Sequence, residues 1–140
     1  FTQFPTHFII LVGTPTPTTV NLDGLNERMT QVEGDLGSLG IDNVYELASM
    51  LLLGEADIDS LVSGAPIHTD NRPILEYSDM DLYNVVDVAP NLGRLMDFQQ
   101  EDLLAYFVGS ENQLLRLEEH FDRYTRHYRD YVRLYEQQLN

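Results

Sequence analysis

The sequence contains no cysteine, no tryptophan and no lysine. Without cysteine there is no disulfide framework, no thiol nucleophile and no Cys-ligated zinc. All eight cationic side chains are Arg, set against 23 Asp and Glu, for a formal charge of −15. A surplus of that size repels phosphate backbones and anionic lipid headgroups, which excludes nucleic acid and membrane contact as expected partners of this segment. Long apolar runs are missing as well. The longest, Leu103–Val108, has six residues, and the aliphatic-rich Phe8–Val12 has five, far short of the ~20 residues of a membrane-spanning helix. The first residue is Phe1 rather than Met, and no pattern of basic, apolar and small residues marks a signal peptide. The chain reads as a piece of something longer.

At 140 residues and 43% hydrophobic, it can bury a core and suits one domain or one domain with an extension. Phe8-Ile-Ile-Leu-Val12 is closed by Gly13 and reads as a buried strand. Thr14–Thr19 alternates Thr and Pro and reads as an extended linker. From Leu22 the apolar positions Leu22, Leu25, Met29, Val32, Leu36 and Leu39 fall three and four apart. That spacing predicts one helix capped by Asn21, weakened by Gly34 and Gly37 and stopped at Gly40. Asn43 with Glu46 three residues on predicts a capping box and a helix running to Gly54. Asp57–Val62 suits a short helical turn closed by Gly64, and Ile74–Tyr77 a second short strand after Pro73. Helical spacing resumes at Asp81, is bent or ended by Pro90 and resumes at Leu92. It recurs over Leu103–Val108 up to Gly109, and Ser110 caps a last helix to about Leu139. The expected fold class is α+β and helix-rich.

That last helix carries Leu114, Leu117, Phe121, Tyr124, Tyr128, Tyr131 and Tyr135 at alternating three- and four-residue spacing, an a/d seam ending in four tyrosines. Five of the arginines flank it, at 116, 123, 126, 129 and 133. Such a seam packs the helix on its own domain, or presents a surface to a second copy or a partner helix, since Tyr and Arg are enriched at interfaces. Phe121, Tyr124, Tyr128, Tyr131 and Tyr135 are the interface candidates. His120 and His127 lie seven residues apart. Two His ligands on one helix face normally stand closer, so no metal is expected.

The most distinctive stretch is Ile67–Tyr77. Thr69, Asp70 and Asn71 can each bond nearby backbone and make a firm turn into a strand, and Arg72 can pair with Asp70 or Glu76. His68 with Asp70 has the composition of an acid–base pair, though nothing local identifies a substrate.

The run His68-Thr69-Asp70-Asn71-Arg72-Pro73-Ile74-Leu75-Glu76 resembles a turn reading Asn-Thr-Asp-Asp-x-Pro-x-Leu-Glu. That turn ends the spermidine-synthase-like domain of bacterial polyamine aminopropyltransferase homologues, and His68 and Asn71 are the two departures. Phe8–Gly13 is similar to the penultimate strand of that domain. The helix from Leu22 to Leu39 and the Leu51-Leu-Leu-Gly54 segment resemble its insertion before the turn. The likeness covers about residues 4–95, and 99–140 suits one helix pair of the tetratricopeptide-like tails that follow in such homologues.

The resemblance implies the closing strands of a Rossmann-like, methyltransferase-type domain at 1–78, with a helical extension at 79–140. The turn then lies at the carboxyl edge of the sheet, where open α/β folds bind ligands. His68, Thr69, Asp70, Asn71, Arg72 and Glu76 are candidates for the substrate rim or for bracing it, and for Asp70 bracing is the favoured role. The whole protein would transfer an aminopropyl group from decarboxylated S-adenosylmethionine to a diamine. Its nucleotide loop and catalytic acids would lie upstream, leaving this segment without catalytic residues or cofactor of its own. The implied location is cytoplasmic, as a free protein or as the soluble part of a membrane-anchored one. Read from the residues alone, the alternative is a non-catalytic helical interaction or oligomerisation module.

Overall fold

The computed structural model describes residues 12–65 and 88–138. The described architecture is α+β and helix-rich, with one small sheet. Two two-residue strands, β1 (Val20–Asn21) and β2 (Phe107–Val108), pair in parallel with Val20 opposite Phe107 and Asn21 opposite Val108. Among the described residues six α-helices accompany them: α1 (Leu22–Met29), α2 (Glu33–Ser38), α3 (Val44–Ala48), α4 (Glu55–Val62), α5 (Val88–Asp97) and α6 (Glu111–Gln138).

Side-chain caps set where several of these helices begin. The Asn21 side chain accepts from the Gly24 amide at 2.9 Å. Asn43 accepts from the amides of Tyr45 and Glu46, both at 3.0 Å. Glu46 reaches back as expected, but to the amide of Asp42 at 2.7 Å, one residue beyond the cap. Ser110 and Gln113 cap α6 reciprocally. The Gln113 Oε1 accepts from the Ser110 amide at 2.7 Å, and the Ser110 Oγ accepts from the Gln113 amide at 3.4 Å. Each arrangement satisfies donors that a helix start leaves unpaired, worth about 1 kcal/mol per cap.

The expected single helix from Leu22 to Leu39 is broken. It passes from α1 through a 3-10 turn at Thr30–Val32 into α2. Gly34 and Gly37 add no side-chain packing that would hold the second half in register, and Val32 and Leu39 are exposed. The chain then turns at Gly40, whose φ of 72° is open to glycine and strained for residues with a Cβ. The helix expected from Asn43 to Gly54 ends at Ala48. Pro90 lies inside α5 rather than ending a helix.

The largest departure is at Leu103–Val108, expected to be helical. Leu103–Tyr106 forms a 3-10 turn, capped by Asp102 accepting from the Leu104 amide at 3.0 Å, and Phe107–Val108 is a strand. A strand wins because Phe107 pairs with Val20, 87 positions earlier, while its ring enters the core beside Phe121. The Phe8–Val12 run lies outside the described residues except for Val12, which is exposed and in no strand. The strand expected at Ile74–Tyr77 and the helix expected to start at Asp81 also lie outside them.

The core gathers Leu22, Met29, Ile41, Val44, Ala48, Phe107 and Leu117, with Leu22 and Leu117 wholly buried. It therefore takes side chains from both sides of the 78/79 boundary. Burying each large aliphatic contributes roughly 1.5–3 kcal/mol. No helix among the described residues is long and apolar enough to cross a membrane.

Candidate functional site

The densest polar constellation among the described residues surrounds the start of α4. Gly54 precedes the helix, and four consecutive amides there need acceptors. Asp57, in the first turn, accepts from the Gly54 amide with Oδ2 at 3.2 Å. Its Oδ1 accepts from the amides of Gln100 and Glu101 at 2.9 and 3.1 Å. Glu101 returns the contact, its Oε2 accepting from the Ala56 amide at 3.1 Å and from the Tyr106 hydroxyl at 3.0 Å. The Tyr106 oxygen in turn accepts from the Glu55 amide at 2.7 Å. Two carboxylates and a phenol thus bolt α4 to a loop more than 40 residues away.

Asp57 is 3% exposed, and the knot closes over a residue with no side chain. A methyl group on Gly54 would overlap Glu101 Oε2 and stand 2.7 Å from Tyr106 Oη. The Glu55 amide, donating to the phenol oxygen, favours its ionisation. Burial and the Glu101 carboxylate outweigh it, so the Tyr106 pKa is raised above its ordinary value. The phenol stays protonated and keeps donating to Glu101. Chemically the knot is a brace, because both Asp57 oxygens and the Glu101 Oε2 accept from the chain's own amides and hydroxyl.

Beside it lies an open recess of ≈ 280 Å³ whose rim carries Glu101, Asp102, Glu118 and Asp122, with Phe121 in its wall. No group of three or more His, Asp or Glu among the described residues is arranged to hold a metal ion.

The tyrosine seam is divided along α6. Leu114, Leu117 and Phe121 pack into the core, and the Phe121 ring meets Phe107 at 6.0 Å and 58°. Further on, Tyr124 and Tyr128 stack obliquely at 6.1 Å and 52° and, with Tyr131, are half-buried. Burial, then the neighbouring Tyr128, pushes the Tyr124 phenol up to about 12, and burial raises Tyr128 too. Helix α5 packs along this helix, with Gly93 facing Val132. The side chain of Tyr135 lies outside the described residues.

Between these regions His120 stacks on Tyr45 of α3 at 5.7 Å and 29°. Its Nδ1 is buried without a hydrogen-bond partner. Burial, then Arg123, lowers its pKa, with Glu46 and Glu119 opposing.

The candidates of the distinctive turn, His68, Thr69, Asp70, Asn71, Arg72 and Glu76, lie outside the described residues, as does their geometry. Asp57, Glu101 and Tyr106 were not among the sequence candidates. The only local signal for them is an acidic residue three positions after Gly54. Compared with protein families, curated proteins and solved structures, the chain matches none.

Proposed function

We propose that this chain is the closing, non-catalytic part of a spermidine-synthase-like aminopropyltransferase, in which the run His68–Glu76 forms the turn into the last strand of a Rossmann-like domain. That run is the observation on which the reading rests, since it keeps Thr69, Asp70, Pro73, Leu75 and Glu76 of the family's turn in order. The described helices are in keeping with it. They fill the interval between the Phe8–Gly13 run and the turn with short, Gly-punctuated segments, and a helical extension follows.

In this reading the extension at 79–140 is structural and the described residues contribute support. The α4 knot holds the segment leading into the turn, while Asp70 braces the rim of a site whose nucleotide-binding half is built by other residues. An aminopropyl acceptor is a cationic polyamine, and a strongly acidic protein raises its local concentration by steering.

The test is calorimetric titration of the native protein with decarboxylated S-adenosylmethionine and, separately, with putrescine. Saturable binding of both, with Asp70→Ala weakening the amine more than the nucleoside, supports the reading. Binding of neither by folded protein overturns it.

A further inference from the structure

The outer face of α6 carries a charge pattern that neither the core nor the tyrosine seam uses. Leu115, Glu119, Asp122, Arg126, Arg129 and Arg133 recur four and three residues apart, which places them in one stripe along the helix. All six are exposed, on the side away from Leu114, Leu117 and Phe121. The stripe is polar in the electrical sense, with two carboxylates towards its start and three guanidinium groups towards its end. Among the described residues the one ion pair involving it is Arg133 with Asp130 at 3.9 Å, and both partners are largely exposed.

We propose that this stripe is a dimerisation surface whose partner is a second copy of the same helix, antiparallel, about a two-fold axis in the exposed face at the level of residue 124. Antiparallel pairing centred there sets Glu119 of each copy against Arg129 of the other, and Asp122 against Arg126. A two-fold contact is isologous, so each pairing occurs twice. The pattern is self-complementary only in this orientation, because parallel pairing sets arginine against arginine and carboxylate against carboxylate. The acidic recess shares Asp122 with the stripe, so the partner's Arg126 would approach its rim.

Two chains of −15 also repel one another. At physiological ionic strength that long-range repulsion is screened over about 8 Å, whereas the paired side chains meet inside that distance. The contact is charged and narrow, so the dimer is weak and salt-sensitive.

Sedimentation equilibrium of the full chain tests this. At 0.15 M salt and high micromolar concentration the mass should approach twice the 16.1 kDa chain, and at 1 M salt it should fall to the monomer. The pair Arg126→Glu with Arg129→Glu should weaken the dimer by on the order of 100-fold, as should Glu119→Arg with Asp122→Arg. Mixing the two reversed proteins should restore a heterodimer tighter than the original. A monomeric wild-type chain, a dimer indifferent to both salt and reversal, or failure of the two folded variants to pair with each other would each overturn the proposal. Circular dichroism confirms folding of the variants, and the salt series on the unmodified chain reads the same contact without any substitution.

Discussion

Helix α6 passes through two environments, and the contrast between them organises the molecule. Its first three turns are held by apolar contacts from several elements. Leu117 is completely enclosed, and Phe121 meets the ring of a strand residue. Its later turns lie against α5, with Gly93 facing Val132, and there the half-buried phenols of Tyr124 and Tyr128 have pKa values raised by burial. The first arrangement is specific because close-packed side chains interdigitate in few ways. The second is a softer contact, of the kind a helix uses when one of its faces remains open.

Substitutions along and beside α6 can break or sharpen that contrast. Leu117→Ala removes a wholly enclosed side chain and should lower unfolding stability by about 3 kcal/mol in urea titration. Asp57→Ala strips three backbone amides of their acceptor and should cost about 2 kcal/mol by the same titration. Gly54→Ala should act on the same knot, by displacing Glu101 and Tyr106. If Asp57→Ala is neutral, the knot is not what fastens α4. Tyr128→Ala trims a half-buried ring from the softer half and should cost about 1 kcal/mol. A loss equal to that of Leu117→Ala would erase the distinction.

The smallest effect concerns pH. The pKa of His120 is lowered in the folded protein, so the unfolded chain binds its proton more readily. Its contribution is complete above the ordinary histidine value of about 6.5 and is lost as the pH falls through the lower folded value. Melting at pH 7.5 and 5.5 should show a larger drop in Tm for the wild type than for His120→Phe, which can still stack on Tyr45. Equal drops would remove His120 from the account.

What could be read from the sequence was local. Asn21, Asn43 and Ser110 announce helix starts because a capping side chain acts within three residues of itself. The long 3–4 spacing from Ser110 onward describes α6 almost to its end. What escaped was set at long range. Leu103, Leu104, Phe107 and Val108 have helical spacing, and only Val20 and Asn21, far away in the chain, turn the last two into strand. The knot at Gly54 escaped for the same reason, because Asp57 finds two of its three donors at Gln100 and Glu101. Gly34 and Gly37 gave warning of a weak helix, but not that a 3-10 turn would split it. The turn around Asp70 remains a reading of residues, and it carries the proposed function.

The measurement that bears most directly on the division of α6 is native-state amide hydrogen exchange along the helix, at a concentration low enough to keep the chain monomeric. Amides around Leu114–Phe121 should exchange only on global unfolding, with protection that tracks denaturant stability, while those beyond Tyr128 should open at lower free energy. Uniform protection from Leu114 to Val132, or stronger protection in the later turns, would contradict it.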